Sequence, residues 1–101
     1  MPLLYANVKL RYGKLAEFNE TVTELLPLVE RQGWKLVVSW STVVGDINEV
    51  HDIWEIPDAN TIPESLAGLA AEAGFPELME ALCGQIEREV FRLIAKTPFS
   101  P

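Results

Sequence analysis

The chain of 101 residues predicts an α+β fold built on one four-stranded antiparallel sheet. Three observations carry this. Short segments near the start, middle and end alternate apolar and polar residues with the period of a strand. Between them, apolar residues recur at helical spacing. The middle pair of alternating segments is joined by "Gly-Asp-Ile-Asn", which is turn chemistry and so marks a hairpin.

The elements follow in order. In "LLYANVKLRY", Leu4, Ala6, Val8 and Leu10 point one way, while Tyr5, Asn7, Lys9 and Arg11 point the other. After Gly13, apolar residues at Leu15, Phe18, Val22, Leu25, Leu26 and Val29 make a helical stripe with acids behind it, and Gly33 supplies a stop. Pro27 interrupts that stripe and removes an intrahelical hydrogen bond, so a kink or break is expected there. "WKLVVSWSTVV" then alternates, with Trp34, Leu36, Val38, Trp40 and Val44 on one face, and "EVHDIWEI" returns as the next strand. "PDANTIPES" ends it and offers caps for a short helix carrying Ile62, Leu66, Leu69 and Ala70. Gly74 and Pro76 break this second helical segment from a further helix with Leu78, Met79, Leu82, Cys83 and Ile86. The last strand is "REVFRLIAKTPF", with Phe91, Leu93 and Ala95 on one side.

Strand, helix, strand, strand, helix, strand is the split βαβ order of the ferredoxin-like plait. Strands one and two then run parallel with strand three between them, and strand four flanks strand one. Both helical segments cover one face. If the apolar parity of each strand meets the helices, the other face collects Lys9, Arg11, Lys35, Arg88, Arg92 and Lys96, six of the eight basic residues in the chain. Glu49, His51, Glu55 and Ile53 join them from the third strand. Three arrangements suit such a face: an alternating-charge surface in water, two copies stacked with opposite charges bridging them, or an anion site in a basic ring.

Composition narrows the function. One domain over residues 1–101 is expected, since the length is too small for two full cores. A hydrophobic content of 49% argues against disorder. The net charge of −7 argues against nucleic acid and anionic membrane surfaces as partners. No apolar run is long enough to insert in a membrane, the start lacks the marks of a signal peptide, and the lone Cys83 has no partner for an internal bridge. Together these predict a cytoplasmic protein.

The hairpin concentrates the chemistry. For Trp40 and Trp54 to share the helix-facing side, position 42 must oppose position 52 across the three-residue loop Asp46-Ile47-Asn48. A slip of one residue swaps the faces. In this register Asp52 is an acid between sheet and helices, beside two tryptophans and Thr42. Such a carboxyl either finds hydrogen bonds or has its pKa raised.

The same stretch, "WSTVVGDINEVHDIW", with Trp40, Thr42, Gly45, Asn48, Glu49, Val50 and Trp54, resembles the signature of NIPSNAP-like proteins. "YGKLAEF" near the start and "PFSP" at the end also look like that family's ends, so the likeness spans nearly the whole chain. The resemblance implies a dimeric α/β barrel, in which two ferredoxin-like sheets pack face to face. Relatives in that superfamily include cofactor-independent monooxygenases, haem-degrading enzymes and muconolactone isomerases, which commonly use a pocket between sheet and helices. NIPSNAP-like proteins have no settled biochemical activity, and some are associated with mitochondria or vesicle traffic. This chain departs from the family pattern in two ways. Asp52 stands where the family often has a histidine, with His51 displaced by one position, and the segment after that strand, "PDANTIPESLAGLAAEAG", contains no arginine.

The candidate residues have two readings each. Asp52 is a general acid or base, or a structural acid bonded to Thr42 or to backbone. His51 binds an anion or moves protons near neutral pH, or it pairs with an acid on the sheet face. Trp34, Trp40 and Trp54 stack on a planar ligand or fill the core. Cys83, at helical spacing with Met79 and Leu82, reads as a buried apolar residue. No metal-ligand spacing or phosphate loop appears, so neither metal nor cofactor is expected. Three functions remain open: a homodimer binding a small apolar or aromatic ligand through Tyr12, Trp40, Thr42, His51 and Trp54; a cofactor-independent enzyme of the monooxygenase or isomerase type with Asp52 as its acid or base; and a protein-interaction module.

Overall fold

The first strand sets the frame. In the computed structural model, which describes residues 2–101, β1 (Leu3–Leu10) buries Leu4, Ala6, Val8 and Leu10 and leaves the alternate residues on the opposite face. It is followed by α1 (Leu15–Arg31), β2 (Lys35–Ser41), β3 (Glu49–Glu55), a short 3-10 turn at Ala59–Thr61, α2 (Ile62–Ala70), α3 (Phe75–Gln85) and β4 (Ile86–Ile94). The sheet order is β2-β3-β1-β4 with every neighbouring pair antiparallel. This is the ferredoxin-like α+β plait, with its second helical segment divided at Gly74.

The helices lie on the face toward which β1 turns its apolar residues. Two clusters make the core. Leu4, Val29, Trp34, Trp54 and Ile56 form one, and Val8, Leu10, Phe18, Val50 and Leu82 the other. Helix α1 supplies Phe18 to one and Val29 to the other, with Leu25 packed against both. Pro27 does not break α1, which runs unbroken to Arg31. Losing one hydrogen bond costs about 3 kcal/mol, and the packing of a stripe several residues long offsets it. The stop comes at Gly33, whose φ of +88° belongs to the left-handed region. Pro57 sits so close that an added Cβ would lie 3.1 Å from its Cγ.

Downstream, Asp58 caps the 3-10 turn by accepting from the Asn60 backbone N–H at 3.0 Å. Both α2 and α3 start with proline in the first turn, where no donor is lost. Glu72, just past α2, ties that region to the end of α1. It accepts from Arg31 at 2.8 Å and from Gln32 at 3.2 Å. Among the described residues no helix is long and apolar enough to cross a membrane.

The β2–β3 hairpin differs from the sequence expectation. Trp54 pairs with Leu36 rather than with Trp40, and Trp40 pairs with His51. The register shifts between Leu36 and Val38, leaving Val37 as the extra residue of a bulge. A bulge reverses the alternation. Leu36 therefore keeps the helix-facing side, whereas Val38 and Trp40 turn to the other face and Ser39 and Ser41 take their place. Edge position explains why this is tolerated: apart from Leu36, every residue of β2 is exposed, so no core dictates the parity of its second half. The loop is also longer than the expected three residues. It closes with the Thr42 N–H donating to the Glu49 carbonyl at 3.1 Å, and the Leu10 N–H binds the Asn48 carbonyl at 2.7 Å.

Candidate functional site

The sheet presents two faces of different chemistry, and the sequence-derived candidates divide between them. On the helix side lies a cavity of about 590 Å³. Its floor is β1, through Leu4, Ala6 and Val8. Helix α1 forms one wall with Phe18, Val22 and Leu25, and α2 and α3 form another with Ile62, Leu69, Phe75 and Met79. Trp34 and Trp54 stand together at one end, edge to face, with ring centroids 6.1 Å apart.

Two carboxyls enter this apolar space. Asp52 comes from β3, directly opposite Ala6 of β1, and Glu89 comes from β4, opposite Val8. Because Ala6 is small, the floor between the two acids stays low. Burial pushes the Asp52 carboxyl above the usual carboxylate range. Donation from Ser39, which faces it across the β2–β3 pair, and from Trp54 pulls the other way without cancelling the shift. Glu89 stands at the cavity's edge, open to water on one side. The apolar wall on its other side raises its pKa, and the negative charge of Asp52 adds to that. Groups held in this state exchange protons at pH values nearer neutrality than ordinary carboxyls do.

Of the residues singled out from sequence, Asp52, Trp34, Trp54 and Cys83 line the cavity. Tyr12 does not. It sits in the turn after β1, 86% exposed, because β1 ends two residues before it and nothing packs over the turn. Trp40, Thr42 and His51 lie on the opposite side of the sheet. The expected neighbourhood of Trp40, Thr42 and Asp52 is thus corrected by the bulge at Val37, which sends Trp40 away from Asp52. Cys83, expected as a buried residue, is exposed at the rim of the cavity.

On that opposite, helix-free face, His51 is clasped by two rings. Trp40 stacks on it at 5.2 Å between centroids and 8° between planes, and Tyr5 at 5.9 Å and 9°. Asn7 Nδ2 donates to the Tyr5 oxygen at 3.2 Å and to Glu49 at 3.0 Å. The Tyr5 hydroxyl is thereby left to donate to His51 Nδ1, 2.6 Å away, and the Nε2–H then faces Thr42 Oγ1 at 3.4 Å. The link of His51 to the acid Glu49 runs through Asn7. Lys9, Lys35, Glu49, Glu55, Arg88 and Arg92 share this face as expected, while Arg11 and Lys96 fall beyond the strand ends. Lys9 pairs with Asp46 of the hairpin loop, which holds the Asp46 carboxyl below its usual range.

Sequence reasoning passed over Glu89, Tyr5 and Asn7. For Glu89 a signal was present: it shares the parity of Phe91 and Leu93, and an acid at an apolar-parity position is the same mark that drew attention to Asp52. Tyr5 and Asn7 carried no mark of their own, since a polar residue on an outward parity is ordinary. Among the described residues, no group of three or more His, Cys, Asp or Glu side chains is placed to hold a metal ion.

Comparison with known proteins agrees with this fold. The family model described as NIPSNAP matches residues 6–101. A solved structure of a protein from Agrobacterium tumefaciens superposes with a TM-score of 0.88 at 20% identity, over 100% of this chain and 98% of that one. An uncharacterized NIPSNAP domain protein from Burkholderia xenovorans gives 0.84 at 19% identity, over 100% and 99%. A protein described as an antibiotic biosynthesis monooxygenase gives 0.66 at 14% identity, over 97% and 100%. At such identities the structural likeness speaks to the fold alone. No curated protein matches the chain.

Proposed function

The chain belongs to the NIPSNAP family, and on that premise we propose that it binds a small apolar or aromatic molecule in the cavity between its sheet and its helices. The observation that carries this reading is the cavity itself. Its volume of about 590 Å³ falls in the range of roughly 300–1,000 Å³ usual for small-molecule sites. Its walls are apolar and aromatic, and its few polar groups sit at definite places, which is how such sites combine affinity with orientation.

In this reading residues 1–101 act as one domain, and two copies pair through the helix-free sheet face into a dimeric barrel. That face supports pairing in two respects. It carries apolar area that nothing covers, with Val38 46% and Trp40 44% exposed. It also carries opposite charges on adjacent strands, such as Lys9 beside Glu49 and Lys35 beside Glu55, which can meet partners across a two-fold axis. A cytoplasmic location suits the single, exposed Cys83.

Native mass spectrometry of freshly purified protein tests both parts. The expected result is a dimer that carries an additional small-molecule mass. A dimer without such a mass, which also takes up none of a panel of apolar and aromatic compounds, would leave an interaction module as the better description. A monomer at micromolar concentration would remove the barrel.

The position of Asp52 favours a second reading, that of a cofactor-independent enzyme. A carboxyl with a raised pKa, set in an apolar cavity, is suited to take a proton from a bound substrate and return it elsewhere on the same molecule. Turnover of a bound ligand, lost in Asp52→Asn, selects this reading. A ligand recovered unchanged selects the binding protein.

A further inference from the structure

We propose that the ligand of this cavity is an amphipathic amine, whose apolar or aromatic body fills the space while its protonated amino group sits between Asp52 and Glu89. The proposal rests on the small-molecule reading above and names the chemistry of the molecule bound.

Charge complementarity is the first argument. Among the described residues no Lys, Arg or His lines the cavity, and its only ionisable carboxyls are Asp52 and Glu89. Elsewhere on the molecule Asp46 is paired with Lys9 and Glu72 with Arg31. Asp52 and Glu89 face an apolar space without such a partner. Two carboxylates that share such a site repel each other and lose hydration, so ionising both is unfavourable until a cation stands between them. An ammonium group supplies that charge together with up to three donors for the acceptor oxygens.

Placement is the second. Asp52 and Glu89 come from the two strands that flank β1, and their registers put them on either side of Ala6 and Val8. They are near enough for the charge of Asp52 to be felt at Glu89. The methyl side chain of Ala6 leaves room above the floor between them. A carboxylate ligand would set a third negative charge there, so the same geometry selects against acids.

Trp34 is independent of the acids. It lines the cavity and is 9% exposed, yet its indole Nε1–H is buried without a protein partner. A buried donor left unpaired is costly. A hydroxyl, ether or carbonyl oxygen on the body of the ligand would satisfy it, giving the molecule a second polar point besides its amine.

The test compares three probes with one skeleton and different head groups: phenylbutylamine, phenylbutanol and phenylbutyrate. Each is titrated into the full chain at neutral pH by calorimetry, with tryptophan fluorescence as a second readout. The amine is expected to bind at least ~10-fold more tightly than the alcohol, and the acid most weakly. In Asp52→Asn/Glu89→Gln, amine and alcohol are expected to bind alike, with the native tryptophan fluorescence of the unliganded variant as the control for an intact cavity. If the double variant does not fold, Glu89→Gln alone, at the exposed rim, is expected to lose part of the preference. An alcohol or acid that equals the amine in the native chain overturns this inference while leaving small-molecule binding in place. A preference that survives the substitutions also overturns it. Binding of none of the three overturns both.

Discussion

Asp52 and Glu89 occupy positions where the alternation of β3 and β4 calls for apolar side chains, and their titration records that misfit. Burial raises both, so the folded chain holds protons that the unfolded chain has already released. In the interval between the unfolded and folded pKa values, the unfolded state binds fewer protons, and stability falls as pH rises. Above the folded pKa the loss is complete and constant. Asp52→Asn removes one such group. Its stability is expected to improve relative to the native chain as pH climbs out of the ordinary carboxylate range, then to run parallel to it. Urea denaturation at a series of pH values measures this, and two curves parallel throughout would refute it. Gly33 gives a second prediction at this scale. Because its backbone is left-handed and Pro57 crowds the missing Cβ, Gly33→Ala is expected to destabilise the fold by about 1–2 kcal/mol, read as a lower denaturation midpoint.

Single elements show where local preference yields to packing. Helix α1 is continuous through Pro27, with Phe18, Leu28 and Val29 buried along it. The lost hydrogen bond remains a liability even so, and Pro27→Ala is expected to stabilise the fold by roughly 1–3 kcal/mol. A thermal midpoint that does not rise would mean that the ring's own packing compensates. Strand β2 makes the opposite point. Its residues suit a strand, and their alternation reads correctly as far as Leu36. Beyond the bulge at Val37 the faces exchange, because an edge strand with almost no helix over it gains little from keeping either parity. Trp40 finds its contact instead on the imidazole of His51.

At the level of the whole molecule, the sheet separates an apolar cavity on its helix side from a polar, ring-stacked surface on the other. The first is the proposed ligand site and the second the proposed pairing surface. Arg92 lies on the second, opposite Tyr5 of β1. Arg92→Glu reverses one charge on a face that already carries Glu49 and Glu55, so it is expected to weaken the proposed dimer by about tenfold or more in dissociation constant, measured by sedimentation equilibrium. An unchanged constant would remove Arg92 from the interface.

The order of elements, the β1 alternation, the division of the second helical segment at Gly74 and the apolar parity of β3 on which Asp52 falls were all legible in the linear chain. Each depends on local signals: period, turn chemistry, and the burial of a central strand on one side. The partners of Asp52 were not legible. Which residues stand opposite it depends on the hairpin register and on one bulge, and nothing within either strand specifies a bulge when the strand lies at an edge. Glu89 meets Asp52 only because β3 and β4 both pair with β1, from opposite sides. The chemistry of individual residues was therefore set by the sequence alone, whereas their meeting in one cavity was decided by tertiary structure, since strands far apart in the chain become neighbours only through the sheet.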